Sequence, residues 1–234
     1  MCGRFYLTQP RHELEQFFGV KPERDFNGEL QPKYNLPPTE QIPGASIDKT
    51  GEMRLDLYRW GLIPSWADLS NFKATTINAR AESVTTKPMY RSAFISRRLL
   101  IPADGFYEWD RTNPKAKQPY AFARKDGEPM AFAGLWEGYK HPEGQWIHTC
   151  TILTTANNSD MPIHNRLPLI LERDNWERWL DSELTDQDEL EGMIHVAQPG
   201  ILRHYPVDRS VGSVKIDNAG LIEPIELDVV QTLL

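Results

Sequence analysis

The feature of this sequence that most constrains its fold is a series of short strand-like segments joined by short turns. Met53, Leu55 and Leu57 alternate with polar or aromatic neighbours, which is the period of a strand. Further strands are predicted over residues 146–155 and 167–171. A parallel connection needs about a dozen residues, usually a helix, so short turns favour antiparallel pairing. We therefore expect an α+β fold with a largely antiparallel sheet or open barrel-like core and peripheral helices.

Four peripheral helices are expected. Pro10 begins the first, Leu14, Phe17 and Phe18 form its buried stripe, and Gly19 ends it. The other helices are predicted over residues 87–96, 174–180 and 185–194. No internal repeat or low-complexity linker divides the 234 residues, so one domain covering residues 1–234 is expected.

Two local features predict how strands connect. Strand-like segments at residues 120–124 and 130–136 flank Asp126-Gly127, a dipeptide typical of a β-hairpin turn. The stretch from Arg98 to Trp109 predicts a buried strand that is interrupted at Pro102 and Gly105.

Charge is unevenly distributed along the chain. The formal net charge is −7, but residues 172–191 carry nine acidic residues against two arginines and account for the excess. Residues 72–98 carry six basic residues against Glu82 alone. Phosphate binding follows the local field, so the net charge does not exclude nucleic acid. If DNA is the partner, the acidic segment is expected on the side away from the binding groove.

Several classes of protein are not supported. No apolar run approaches the ~18 residues of a membrane-spanning helix, and the first residues do not resemble a secretion signal. The two cysteines are too few for a disulfide framework. Metal and nucleotide-cofactor motifs are absent, so neither group is predicted. The expected location is the cytoplasm, with nucleoid association if the source is bacterial.

Cys2 is the candidate with the most specific chemistry. Aminopeptidases remove an initiator Met before a small residue, so Cys2 is expected to become the N-terminus. Its amine and thiol then have reference pKa values of about 7.7–8.0 and 8.5. The amine of such a 1,2-aminothiol condenses with an aldehyde, and the thiol closes on the same carbon to give a thiazolidine. Alternatively, position 2 is simply a small residue without a role.

Other residues are candidates on weaker grounds. Glu108 lies in an aromatic stretch, where desolvation is expected to raise its pKa and suit it to proton transfer, unless it faces solvent. His164 lies in a predicted loop, where it can contact a phosphate, move protons or be structural. Asn78 can hold an oxyanion or a sugar oxygen, and Arg80 can grip a phosphate.

Three further residues bear on nucleic-acid binding. Arg4 follows Cys2 closely and carries the same kind of phosphate-binding group as Arg80. Trp66 and Phe72 can stack on bases, although such aromatic residues are more often part of a core.

The motifs occur together in an order that resembles the SOS-response-associated peptidase (SRAP) family. The segments that carry this resemblance are Cys2-Gly3-Arg4-Phe5, Tyr34-Asn35, Trp60-Gly61-Leu62-Ile63-Pro64, Asn78-Ala79-Arg80-Ala81-Glu82, Pro102-Ala103-Asp104-Gly105-Phe106-Tyr107-Glu108-Trp109, Thr154-Thr155-Ala156-Asn157 and Ile163-His164-Asn165-Arg166-Leu167-Pro168. Residues 207–215 are similar to the last segment of the family. The resemblance departs at Asn165 and Leu167, where Asp and Met are usual, and at Pro38-Thr39, where a glycine-containing turn is common.

The resemblance implies a single SRAP-type domain that binds abasic sites in single-stranded DNA and at single-strand/double-strand junctions. Cys2, freed of Met1, would form a thiazolidine crosslink with the opened sugar and so shield the lesion. A monomer suits such a trap. The family name implies a peptidase-type step that removes Met1.

The resemblance also implies a role for each site residue. Asn78 would orient the amine and sugar, Glu108 would shuttle protons and support release, and His164 would protonate the ring oxygen or contact a phosphate. Cys2 and Glu108 would serve the peptidase-type step. Arg4 and Arg80 would grip the DNA backbone near the lesion. Together with the candidates named above, the predicted DNA-binding residues are Arg4, Arg80, Asn35, Trp66 and Phe72.

Two other functions remain open from the residues alone. One is an N-terminal-nucleophile amidohydrolase, or a papain-like variant that uses Cys2, His164 and Asn78. The other is a non-covalent single-stranded-DNA-binding module in which Cys2 is incidental.

Overall fold

Strands dominate the computed structural model, which describes residues 2–21, 30–72, 76–194 and 199–227. In chain order the strands are β1 (Phe5–Leu7), β2 (Lys33–Leu36), β3 (Gln41–Ile47), β4 (Met53–Trp60), β5 (Asn78–Arg80), β6 (Arg98–Ala103), β7 (Gly105–Asp110), β8 (Gln118–Arg124), β9 (Met130–Lys140), β10 (Trp146–Ala156), β11 (Arg166–Pro168) and β12 (Leu202–Pro206). The helices are α1 (Arg11–Phe18), α2 (Arg91–Ser96), α3 (Trp176–Leu180) and α4 (Gln187–Gly192). The predicted α+β class with few, peripheral helices is confirmed.

Five of the strands form a closed barrel. Around the ring, β10 pairs with β4, β4 with β3, β3 with β6, β6 with β9, and β9 again with β10. The core is therefore a closed barrel, which is a step beyond the expected open one. Two short strands, β5 and β11, attach to β10 beyond the ring. The pairings of β10 with β4 and β5 are parallel, and the other pairings of this sheet are antiparallel.

The second sheet is antiparallel and has the order β12-β8-β7-β1-β2. It packs one face against the barrel through aromatic side chains. The ring centroid of Phe5 in β1 lies 5.3 Å from that of Trp60 and 6.3 Å from that of Phe132. Phe106 in β7 lies 6.0 Å from the same Phe132 ring. The main core thus lies between barrel and sheet, and it includes Cys2 and the nearby Phe5 and Leu7.

The helices lie where the sequence predicts them, with shorter bounds. Helix α1 begins after Pro10 and ends at Gly19, whose φ of 72° is readily adopted only by glycine. Within it, Leu14 and Phe18 are buried. None of the described helices is long and apolar enough to cross a membrane.

Arg98 joins two helices to the barrel. Although it begins β6, its side chain is only 3% exposed. Its guanidinium donates to the carbonyl oxygens of Phe94 at 2.9 Å and Leu184 at 3.1 Å, and to those of Trp179 and Asp181. Burial lowers the pKa of Arg98 to about 10, so it stays charged at neutral pH. Its charge complements the carbonyl ends of α2 and α3.

The predicted hairpin at Asp126-Gly127 is wrong. The turn exists, with a φ of 82° at Gly127, but β8 and β9 belong to different sheets. Strand β8 pairs with β7 and β12, and β9 pairs with β6 and β10. Likewise, Pro102 does not interrupt its strand. The chain leaves the barrel at Asp104 and enters the second sheet at Gly105.

Thr39 has an unfavourable backbone conformation. Its φ is +78°, a region that a β-branched residue rarely adopts. It is exposed, and its backbone N–H donates to the carbonyl oxygen of Trp60 at 2.8 Å, which keeps the turn between β2 and β3 in place. This is the turn where the family commonly has glycine.

We therefore expect Thr39→Gly to raise the free energy of unfolding by up to about 1 kcal/mol, because it relieves the left-handed strain at the smaller cost of glycine entropy. Thr39→Ala is the matched control, since it removes the β-branch but keeps the Cβ atom. Denaturant unfolding of the three proteins measures the effect. A gain for alanine equal to that for glycine would show that the φ angle is not the cause.

Candidate functional site

Pairing between β1 and β7 brings the start of the chain beside Glu108. The two strands are antiparallel, and the backbone N–H of Tyr107 donates to the carbonyl oxygen of Arg4 at 2.9 Å, which extends the ladder toward Cys2. Cys2 and Glu108 are 1% and 2% exposed, so the predicted burial of this carboxylate is confirmed. Two groups far apart in sequence thus share a buried environment.

Asn78 reaches the same place from the barrel. It begins β5, which runs parallel to β10 with Asn78 opposite Ile152. Its Nδ2 donates to the carbonyl oxygen of Cys2 at 2.7 Å. Its Oδ1 is buried and has no hydrogen-bond partner among the described residues. The Asn78 amide therefore holds the backbone of Cys2 through Nδ2, while its Oδ1 remains an unused acceptor.

His164 lies in the loop before β11, and the loop is held by Asn157. The Nδ2 of Asn157 donates to the carbonyl oxygens of Met161 at 3.2 Å and His164 at 3.0 Å. The backbone N–H of Arg166 donates to Nδ1 of the imidazole at 3.0 Å. Nδ1 also lies 3.3 Å from the carbonyl oxygen of Arg166, and the shorter contact, in which Nδ1 accepts, favours the neutral tautomer with its proton on Nε2.

Electrostatics set the protonation states of the site. Burial, and then the Glu108 carboxylate, raise the pKa of the Cys2 thiol to about 12. Burial lowers the pKa of His164, while the same carboxylate opposes this shift. At neutral pH the site therefore holds a neutral thiol and a neutral imidazole within the electrostatic reach of Glu108.

Arg80 and Arg166 lie along the barrel side of the site. Arg80 is exposed and stands two residues after Asn78, so both side chains project from the same face of β5. Arg166 forms a bidentate ion pair with Glu82 at 2.5 and 2.8 Å, and this pairing lowers the pKa of Glu82. The pair ties the turn after Arg80 to β11.

Arg4 and Asn35 have partners that favour a structural role. Nη1 of Arg4 donates to Oδ1 of Asn35 at 2.7 Å and to the carbonyl oxygen of Val211 at 2.8 Å. Asn35 is 3% exposed, and its Nδ2 faces the carbonyl oxygens of Val211, Ser213 and Ile216 at 3.3, 3.0 and 2.7 Å. DNA contact by Asn35 stays a prediction that its burial does not favour.

The two candidate stacking residues differ in exposure. Trp66 is 64% exposed, so its ring is available to a partner. Phe72 is half-buried and packs against a small cluster formed by Ile63, Ala67 and Tyr139. The ring of Trp66 is therefore accessible to a partner, whereas that of Phe72 is packed against other side chains. Base stacking by either residue stays a prediction.

Sequence reasoning missed three residues of the site. Asn157 positions the His164 loop, Arg166 joins β11 to Glu82, and Arg111 is close enough for its charge to lower the pKa of His164. Asn157 and Arg166 lie within motifs that the sequence analysis quotes, so their place in those motifs could have identified them as candidates. Arg111 follows Glu108 by three residues, and only the course of β7 places it at the site.

The end of the acidic segment lies nearer to the site than expected. Glu191 lines a cavity of about 160 Å³ together with Glu82, Thr85 and Thr155. Glu191 therefore lies near the turn that follows Arg80, and the placement of the acidic segment relative to a DNA-binding groove stays a prediction. Among the residues that the structure describes, no group of three or more His, Cys, Asp or Glu side chains is arranged to hold a metal ion.

Comparison with known proteins agrees with this arrangement. Residues 1–214 match the family model described as SOS response associated peptidase (SRAP). The chain belongs to the SRAP family. The resemblance predicted from the ordered motifs is confirmed.

Curated relatives cover nearly the whole chain. It is 40% identical over 227 residues to the abasic site processing protein YoqW of Bacillus subtilis, covering 95% of this chain and 99% of the relative. It is 31% identical to the abasic site processing protein YedK of Escherichia coli, covering 96% and 100%. Its identity to the abasic site processing protein HMCES of Gallus gallus is 30%, covering 98% and 79%.

Solved structures share the fold. A protein from Bacteroides thetaiotaomicron superposes with a TM-score of 0.84 at 21% identity, covering 96% of this chain and 100% of the other. A phage-related protein from Bordetella bronchiseptica gives a TM-score of 0.70 at 24% identity, covering 89% and 95%. The barrel-and-sheet arrangement is therefore shared with proteins of low sequence identity.

The partners of Asn35 lead to a prediction. Asn35→Ala removes the amide that donates to the carbonyl oxygens of Val211, Ser213 and Ile216 and that accepts from Arg4. We therefore expect the free energy of unfolding to fall by roughly 1–3 kcal/mol. Hydrogen exchange at residues 211–216 should also rise. Asn165→Ala, at an exposed asparagine, is the control and should change neither quantity. An Asn35→Ala protein of unchanged stability that binds DNA more weakly would instead make Asn35 a direct DNA contact.

Proposed function

We propose that this SRAP-family protein binds abasic sites in single-stranded DNA, including single-strand/double-strand junctions, and forms a covalent thiazolidine crosslink through Cys2 once Met1 is removed. The observation that carries the proposal is the convergence of Cys2, Asn78, Glu108 and His164 at the start of the chain. The names of the relatives support the substrate. The crosslink would shield the lesion from cleavage during replication.

The chemistry has two steps, and both balance. The amine of Cys2 attacks the aldehyde of the ring-opened sugar, and loss of one water gives an imine. The thiol then adds across the C=N bond: sulfur bonds to carbon, and the thiol proton reaches nitrogen. Because burial and the nearby Glu108 carboxylate raise the pKa of the Cys2 thiol, the thiol enters this step protonated. A base beside it must move the proton, and the Glu108 carboxylate is placed to do so.

Asn78 is suited to hold the amine. Its Nδ2 already donates to the carbonyl oxygen of Cys2, and its free Oδ1 can accept from the amine of the same residue when Cys2 is the N-terminus. Holding the nucleophile in one geometry lowers the entropic cost of the attack. Asn78 thus orients the amine toward the sugar.

His164 and two arginines serve the sugar and the backbone. The proton on Nε2 of His164 can be donated to the ring oxygen as the sugar opens, or to a flanking phosphate. Arg80 offers an exposed guanidinium on the same face as Asn78. Arg4 follows Cys2 by two residues and would contact the DNA backbone near the lesion, with its guanidinium held in place by the hydrogen bond to Asn35.

The same residues support the peptidase-type and lyase-like parts of the proposal. Removal of Met1 would use Cys2 and Glu108, and reversal of the crosslink would return the proton through Glu108. One lesion needs one copy of the protein, so we propose that it acts as a monomer.

The electrostatics favour this proposal over a papain-like hydrolase. Such an enzyme needs a thiolate paired with a protonated imidazole, which requires a low cysteine pKa. Here burial raises the pKa of Cys2 and lowers that of His164. Both shifts oppose that ion pair, whereas imine formation by the amine does not need it.

The first test is covalent adduct formation. Protein whose loss of Met1 is verified by intact mass is mixed with a single-stranded oligonucleotide carrying one abasic site and resolved on a denaturing gel. We expect a shifted band that Cys2→Ala abolishes and that Cys2→Ser reduces to a reversible species, because an oxazolidine hydrolyses readily. Cys150→Ala is the matched control at the other cysteine and should retain the band.

Three outcomes would count against the proposal. Adduct formation by Cys2→Ala through a lysine would remove the thiazolidine assignment. Absence of a band from protein lacking Met1, with turnover of an amide substrate, would favour the amidohydrolase. Salt-sensitive binding without any adduct would favour the non-covalent module.

Glu108→Gln tests the proton shuttle. We expect the single-turnover rates of adduct formation and reversal both to fall about 10²-fold or more, which is the usual contribution of a positioned acid or base. The pKa of the Cys2 thiol should fall as well, because the carboxylate is one of its two main causes of elevation. Glu137→Gln is the control at another buried glutamate and should leave the rates unchanged. Unchanged rates in Glu108→Gln would remove Glu108 from the mechanism.

A further inference from the structure

The loop between β7 and β8, residues 111–117, carries three exposed cationic side chains beside the site: Arg111, Lys115 and Lys117. We propose that this basic loop binds the phosphate backbone of the DNA strand next to the lesion. The inference rests on the proposed function and adds a second DNA-binding element to it, on the opposite sheet from Arg80.

The position of the loop follows from β7. Glu108 faces the buried site near the end of this strand, and the basic loop begins immediately after Asp110. Arg111 is near enough to His164 for its charge to help lower the pKa of the imidazole. The loop therefore leaves the sheet at the edge of the site.

Local hydrogen bonds order the loop before any ligand binds. Oδ1 of Asp110 accepts from the backbone N–H of Thr112 at 2.8 Å. Oδ1 of Asn113 accepts from the backbone N–H of Lys115 at 3.1 Å, and the carbonyl oxygen of Asn113 accepts from the backbone N–H of Ala116 at 3.1 Å. Such side-chain turns fix the backbone, so less conformational entropy is lost when a partner binds.

The three charges have no counter-ion in the described part of the chain. Two exposed lysines elsewhere are paired: Lys21 with Glu52 at 3.0 Å, and Lys33 with Asp217 at 3.1 Å. An ordered loop with three unpaired cations is suited to an external polyanion. The phosphates of the proposed substrate are such an anion.

The placement also suggests how a strand crosses the site. Arg80 lies on β5 at the barrel side, two residues from Asn78, which donates to Cys2, whereas the basic loop follows β7 of the other sheet. A strand whose lesion reaches Cys2 would meet cations on both sides. The two groups would hold the phosphates that flank the abasic sugar.

The test uses binding without chemistry. A single-stranded oligonucleotide with a tetrahydrofuran abasic analogue has no aldehyde, so it reports non-covalent affinity alone. The variant K115Q/K117Q is compared with K49Q/K140Q, which removes two exposed lysines elsewhere. Lys140 of β9 lies opposite Trp146 of β10 in the strand register. Arg80 lies opposite Thr154 of the same strand, eight residues further along. That separation is about 26 Å at the usual rise of a strand.

We expect K115Q/K117Q to bind several-fold more weakly at about 0.1 M salt. The slope of log affinity against log salt should fall by about 1.4, because each lost phosphate contact on a single strand removes about 0.7. The control variant should keep the wild-type affinity and slope. With saturating abasic DNA, K115Q/K117Q should still form the adduct in wild-type yield.

Affinity and slope equal to those of the control would overturn the proposal, and so would weaker binding with an unchanged slope. Failure of the proposed function has a different signature. In that case wild-type protein lacking Met1 forms no adduct, while binding of the tetrahydrofuran oligonucleotide still decides whether the basic loop contacts the backbone.

Discussion

Strand β10 is the element on which the arrangement of the molecule depends, because it pairs with four other strands. Its pairings with β9 and β4 close the barrel. Its far end holds β5 and β11, which carry or adjoin Asn78, Arg80 and His164. A closed ring leaves no free edge to slip, so the register of β10 determines where these side chains stand. The positions of the site residues on the barrel thus depend on the register of β10.

The other half of the site depends on β1, an interior strand of the second sheet. Phe5–Leu7 pair with β7 on one side and with β2 on the other, so the segment that leads to Cys2 is held in the sheet. Arg4 and Asn35 then bind the segment at residues 211–216, which links the start of the chain to its later part. Under the proposed function, a nucleophile held beside an interior strand would lose little entropy when it attacks.

Local sequence was sufficient for much of this protein. Helix α1 could be predicted from Pro10, the apolar stripe and Gly19, because caps and periodicity act over a few residues. The aromatic neighbours of Glu108 indicated a buried carboxylate but left a solvent-facing position open, and the structure decided for burial. The hairpin predicted at Asp126-Gly127 did not form, because local sequence does not determine which strands pair. The turn is present, as the dipeptide predicts. However, β8 pairs with β7 and β9 pairs with β6, and the two strands do not pair with each other.

The reactivity of a 1,2-aminothiol, the strand-rich class and the ordered motifs all belong to the sequence, since each depends on bonds or neighbours within a short stretch. Tertiary structure decided what those residues meet. It closed the barrel, gave Asn35 backbone carbonyls as partners, and brought Arg111 to the imidazole. It also raised the pKa of Cys2 and lowered that of His164, because desolvation depends on atoms contributed by distant segments. Such long-range contacts cannot be inferred from local periodicity, and they determine which proton each group of the site holds.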